Sequence, residues 1–196
     1  MKVELAEYAG FCFGVKRALK LVEDNLSSLK GPVRMYGSLV HNEEVVKKLE
    51  KKGVEVIANI NQATKGTLII TAHGVKPDIK KRLRDKGQVD VLDTTCPRVA
   101  HIHDIVCELR KERRIILIYG DRNHQEVKGI QGAAGDKVKI FSSPDGLAKL
   151  ELSPGKKYGL VAQTTQNQES FKKIKAAIKK EVSDIKIFNT ICNTTA

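Results

Sequence analysis

The chain predicts an α/β fold made of repeated lobes with parallel sheets. Short apolar, β-branched runs alternate with longer segments of helical period, the pattern of βα units. Three cysteines, Cys12, Cys96 and Cys192, divide the sequence into two stretches of nearly equal length. Each stretch carries the signature Gly-x-x-x-His-x-Glu, at Gly37 to Glu43 and at Gly120 to Glu126, with the histidine 29 and 28 positions after its cysteine. Self-similarity at this period marks a duplicated unit. Cys192 then opens a third unit.

The expected strands follow in order: Val3 to Ala6, Val33 to Tyr36, Val54 to Ala58, Thr67 to Thr71, Val89 to Leu92, Ile115 to Tyr119, Val138 to Phe141, Gly159 to Ala162 and Ile185 to Phe188. These are short apolar runs, most of them carrying β-branched residues. Helices are expected at Val15 to Leu26, Glu43 to Lys51, Pro77 to Lys86, Arg98 to Glu112, Gln125 to Gln131 and Gln168 to Val182. Pro77 and Pro97 sit where a first helical turn tolerates a missing amide. The one boundary falls near Thr94 to Arg98, which divides the chain into a first lobe at 1–95, a second at 96–191 and a stub of a third at 192–196.

At 196 residues and 41% hydrophobic, the chain has ample material for a core. Met1 to Leu5 lacks the apolar run of a signal peptide, and no stretch approaches a membrane span of ~18 apolar residues. A cytoplasmic protein with no membrane partner is expected, with cysteines kept as thiols or metal ligands rather than disulfides. The net charge of +12 creates a field that draws in anions. The basic residues fall mostly in helical patterns such as Lys172 to Lys175, the usual solvated face, and only 5% of residues are aromatic. A stacking platform for nucleic acid is therefore poorly supplied, and no nucleic-acid partner is expected.

The polar outliers fall after strands, where open parallel sheets collect ligands. Three convergent thiolates suit zinc or an iron-sulfur cluster, and the spacing decides little between the two. The plainer reading of a cysteine is a small buried hydrophobe. That reading fits Cys107, which shares a helical face with Ile105, Val106 and Leu109. His41, His73 and His124 stand at strand ends and suit a phosphate or a proton transfer. His101 and His103, on the helix after Cys96, read as structural or solvent-facing. If the site performs reduction, Glu126 is the natural proton carrier, because a carboxyl in a closed pocket can have its pKa raised. Its counterpart Glu43 needs no role beyond stabilising a helix N-terminus. Thr164 and Thr165 offer hydroxyls, with N-capping as the simpler alternative.

Seven segments carry a resemblance along the whole chain: Gly10 to Ala18, Val40 to Asn42, Ala72 to Gly74, Asp93 to Pro97, Asn123 to Val127, Gln163 to Asn167 and Asn189 to Cys192. Together they resemble the 4-hydroxy-3-methylbut-2-enyl diphosphate reductase family. The resemblance implies a trefoil reductase with a 4Fe-4S cluster held by Cys12, Cys96 and Cys192. It implies Glu126 as the catalytic proton source with Thr164 and His124 in its hydrogen-bond relay, His41, His73 and His124 as holding the diphosphate, and these histidines with Thr164 as the contacts to an allylic diphosphate substrate. Reduced ferredoxin or flavodoxin is the implied electron donor. Two lobes are expected here with the third missing after residue 196, and the N-terminal strand is expected to belong with that third lobe. A non-catalytic metal-binding or scaffold protein derived from the family is the alternative.

Overall fold

The computed structural model describes residues 3–4, 10–40 and 42–193. One sheet contains β1 (Val33–Tyr36), β2 (Val54–Ile57), β3 (Gly66–Ile70) and β4 (Val89–Asp93) in the spatial order β2-β1-β3-β4. The other contains β5 (Ile115–Tyr119), β6 (Val138–Phe141), β7 (Tyr158–Ala162) and β8 (Ile185–Ile187) in the order β6-β5-β7-β8. Every neighbouring pair is parallel. The two orders correspond strand for strand, so the repeated sequence signature reflects a repeated topology. The helices are α1 (Phe13–Asn25), α2 (Glu43–Lys51), α3 (Pro77–Lys86), α4 (Pro97–Lys111), α5 (Gln125–Ala134), α6 (Pro144–Ala148) and α7 (Gln168–Glu181).

Local chemistry explains these boundaries. Asn42 caps α2 by accepting from the Val45 amide at 3.1 Å, with Glu43 and Glu44 in the first turn and Lys48 and Lys51 in the last, the charge order the helix dipole favours. Asn167 caps α7 through the Ser170 amide at 2.8 Å. Lys172, Lys173, Lys175, Lys179 and Lys180 lie exposed along α7, while Phe171, Ile174 and Ile178 are buried. The central strands β3, β5 and β7 are almost wholly buried, as continuous apolar runs covered on both faces should be.

Several expectations need correction. In the strand expected at Val3 to Ala6, Val3 and Glu4 are not in a strand, and Leu5 and Ala6 lie outside the described residues. Helix α5 continues past Gln131 to Ala134, because Gly132 is a packing position rather than a breaker: a Cβ there would run into the Lys76 side chain. Helix α6 was not anticipated. Its five residues are too few to show a helical period, although Ser143 caps it through the Gly146 amide and Pro144 opens it.

Each cysteine-capped helix packs on the sheet that follows it in sequence. From α1, Ala18 and Val22 join Met35, Leu39 and Ile69. From α4, Ile102, Val106 and Leu109 join Ile116, Ile118 and Val161, and Cys107 packs at the edge of that cluster as its apolar neighbours suggested. Gly159 permits the approach of α4, since a Cβ there would lie 2.6 Å from Leu109 Cδ1. Among the described residues no helix is long and apolar enough to cross a membrane.

The two lobes meet where α5 receives the loop after β3. Cβ atoms on Gly129 and Gly74 would lie 3.2 Å from Nε2 and 3.5 Å from Cε1 of His103, so this ring fills the space between two glycines. His103 is 8% exposed, whereas its neighbour His101 is exposed. Burial, reinforced by the Lys80 ammonium, pushes the His103 pKa down from 6.5 to about 4. The ring is therefore neutral at pH 7, and its proton uptake in the unfolded chain precedes that in the folded one as pH falls. Stability from this group is full above about pH 6.5 and is lost toward pH 4. Urea midpoints measured across that window should fall with pH. His103→Leu, the residue type at the equivalent Leu19, should flatten the dependence.

Candidate active site and metal centre

Helix α1 begins at Phe13 and α4 at Pro97, so Cys12 and Cys96 each occupy the N-cap, in extended backbone with no side-chain capping bond. Both thiols are left to point elsewhere, beside helix N-termini whose partial positive charge favours an anionic assembly. A Cβ on Gly14 would lie 2.6 Å from Cys96 Sγ and 4.0 Å from Cys12 Sγ, which puts the two sulfurs no more than about 7 Å apart. None of Cys12, Cys96, Cys107 and Cys192 forms a disulfide, and of the four only Cys192 is buried.

Cys96 and Cys192 are held by the same device. The Cys96 amide donates to the Ala72 carbonyl at 3.0 Å, and the Cys192 amide to the Thr164 carbonyl at 2.7 Å. Two residues before each, a threonine hydroxyl extends the sheet ladder: Thr94 Oγ1 donates to the Ile70 carbonyl, and Thr190 Oγ1 to the Ala162 carbonyl. These positioning threonines were missed as such, although the repeated Thr-x-Cys spacing was the available signal. Beside Thr94, Asp93 accepts from the Thr95 amide at 3.0 Å and from Lys80 Nζ at 2.6 Å. Burial works to raise the Asp93 carboxyl, and the bonds from Lys80 and Thr95 outweigh it, so its pKa lies below the usual range.

The same end of the fold carries the acid-base groups. His124 caps α5, its Nδ1 accepting from the Glu126 amide at 3.2 Å, which leaves the proton of the neutral ring on Nε2. Its ring meets that of His73 edge-on, with centroids 5.3 Å apart and planes at 85°. Glu126 is 2% exposed. Its Oε1 accepts from the Thr164 amide at 2.7 Å and its Oε2 from Thr164 Oγ1 at 2.8 Å. Burial pushes the Glu126 carboxyl above the ordinary carboxylate range, and the two bonds from Thr164 pull against that shift without cancelling it. Thr164 is thus a partner of the carboxyl, and the capping role weighed for it belongs to Asn167.

The two Gly-x-x-x-His-x-Glu signatures diverge through a one-residue offset in helix start. In the first repeat Asn42 is the cap, and Glu43 is the first helical residue, facing solvent. In the second repeat His124 is the cap and Glu126 is the second helical residue, turned ~100° further around the axis and into the protein.

Cys12, Cys96, Cys192, His73, His124, Glu126 and Thr164 all line one cavity of about 390 Å³, together with Asn42 and an apolar wall that includes Phe11, Val15, Val40 and Val99. His41 lies outside the described residues. Among the described residues no three His, Cys, Asp or Glu side chains gather tightly enough to hold a single metal ion. The three thiols are instead spread around a cavity.

The model of the LytB protein family matches residues 3–196. The chain belongs to the LytB protein family. It is 39% identical over 195 residues to 4-hydroxy-3-methylbut-2-enyl diphosphate reductase from Aquifex aeolicus, covering 98% of this chain and 66% of that protein. The Campylobacter hominis enzyme of the same name is 40% identical over 197 residues, covering all of this chain and 69% of the relative. The structure of the E-1-hydroxy-2-methyl-but-2-enyl-4-diphosphate reductase from Plasmodium falciparum superposes with a TM-score of 0.86 at 34% identity, over 95% of this chain and 59% of that one. A second solved structure, described as the terminal enzyme of the non-mevalonate pathway, gives a TM-score of 0.80 at 38% identity, over 96% of this chain and 67% of the other. The chain spans about two thirds of the length of the relatives it matches.

Gly14 is the position at which the geometry is most demanding. Alanine favours a helix over glycine by roughly 1 kcal/mol, so Gly14→Ala should keep helix content at or above wild type by circular dichroism. The added Cβ should nevertheless displace Cys96 Sγ, and affinity for reconstituted iron should fall by roughly tenfold or more, the scale of a disturbed ligand shell. Iron and sulfide assays on the purified variant test this.

Proposed function

We propose that this chain acts in the reductive removal of the allylic hydroxyl of 4-hydroxy-3-methylbut-2-enyl diphosphate, in which two electrons and two protons release water and leave isopentenyl or dimethylallyl diphosphate. The observation that supports this most is the shared cavity, which is lined by three thiols, a buried carboxyl and two imidazoles. The donor set suits a 4Fe-4S cluster: three soft ligands, two at helix N-termini, are spread around a space rather than a point. Cys12, Cys96 and Cys192 would hold it, and when bound it supplies electrons and Lewis-acidic iron. Reduced ferredoxin or flavodoxin is the proposed source of those electrons.

The remaining chemistry rests on the chain's own side chains. Burial raises the proton affinity of the Glu126 carboxyl, which makes it the proposed proton source, and the Thr164 hydroxyl donates to its Oε2. The Thr164 amide fixes Oε1, which orients the carboxyl. His124 donates from Nε2, and with His73 it offers hydrogen bonds to the diphosphate; His41 is assigned the same role from the sequence. The apolar wall excludes water and suits an isoprenoid carbon chain.

With the cluster reconstituted and a chemical reductant supplied, the wild-type chain should consume the allylic diphosphate. Glu126→Gln should retain iron and substrate affinity while turnover falls by roughly a hundredfold or more, the usual scale for a lost general acid. Turnover at the wild-type rate in this variant, or an iron-loaded wild type that leaves the substrate untouched, contradicts the proposal.

A further inference from the structure

The geometry points to Arg17 as a positioning residue that sets the separation of Cys12 and Cys96. Arg17 stands five residues after Cys12 on α1. Its Nη1 donates to the Thr95 carbonyl at 3.3 Å, across 78 positions of sequence, and Thr95 immediately precedes Cys96. The peptide it reaches is already fixed, because the Thr95 amide and hydroxyl donate to Asp93, which Lys80 holds from α3. Neither cysteine makes a side-chain capping bond that would anchor its own helix start. The packing of α1 and α4 on their own sheets brings the two helix starts near each other, and the contact of Gly14 with Cys96 and the Arg17 bond tie them directly together. A guanidinium suits the task, being permanently charged and carrying several donors in a rigid plane.

In the second repeat His101 stands at the position equivalent to Arg17, five residues after Cys96, and lines a small cavity of about 330 Å³ together with Arg98 and Ile191, the residue before Cys192.

The inference rests on reading Cys12 and Cys96 as co-ligands, but its test needs no metal. In the metal-free chain a short thiol-bridging reagent, with products mapped by mass spectrometry, reports the approach of the two sulfurs. Arg17→Met should slow Cys12–Cys96 bridging by roughly tenfold, the weight of one charge-assisted hydrogen bond, with circular dichroism and the alkylation rate of Cys107 unchanged. Arg17→Lys, which keeps the charge and one donor, should recover part of the rate. If Arg17→Met does not fold, Arg17→Gln carries the same measurement. Bridging at the wild-type rate in a folded Met or Gln variant overturns the assignment, as does slowing matched by an equal change at Cys107. Failure here leaves the cluster reading standing, whereas a wild-type chain that binds no iron removes that reading alone.

Discussion

Two helix starts meet where only a hydrogen atom fits. Cys96 Sγ occupies the place a side chain at Gly14 would take, and this contact brings the cysteine of one repeat beside the cysteine of the previous one. The rest of the structure serves that contact. Helix α1 is set by its packing on the first sheet and α4 by its packing on the second, so two separate cores bring the caps together and the Gly14 contact and the Arg17 bond fix their final separation. Interiors packed to crystal-like density transmit position well, which is why apolar residues far from the thiols matter to them.

The repeat explains how one topology yields chemically different halves. Thr94 and Thr190 extend their sheets by the same hydroxyl-to-carbonyl bond, and each places the following cysteine on a carbonyl of the neighbouring loop. The glutamates of the two signatures separate because α2 is capped by Asn42 and α5 by His124, which turns Glu43 outward and Glu126 inward. Once inside, Glu126 is shaped by burial and by Thr164, and burial prevails. Glu126 and the thiols share a cavity because the ends of parallel strands share an edge.

Much of this was legible in the sequence. β1, β5, β6, α2 and α3 fall at the expected bounds, because alternation of strand and helix periods is a local property. Strand order was not legible, since pairing is decided by contacts distant in sequence. Cys12, Cys96, Cys192, His73, His124, Glu126 and Thr164 share one cavity, while His41 lies outside the described residues. The pairing of Glu126 with Thr164 came from the resemblance and not from the residues themselves, because the two are 38 positions apart and a threonine before a helix suits a cap equally well. His103 was ambiguous for a related reason: its burial is created by Gly74 and Gly129, whose lack of a side chain gains meaning only when two lobes are packed together.

The central proposal is that the three thiols hold a polynuclear cluster rather than a single ion. Anaerobic reconstitution of the 196-residue chain with iron and sulfide, followed by metal and sulfide counting on the desalted protein, tests it most directly. The account predicts about four irons and about four sulfides per chain, the content of one cube. One tightly held zinc per chain, or no retained iron, would contradict it.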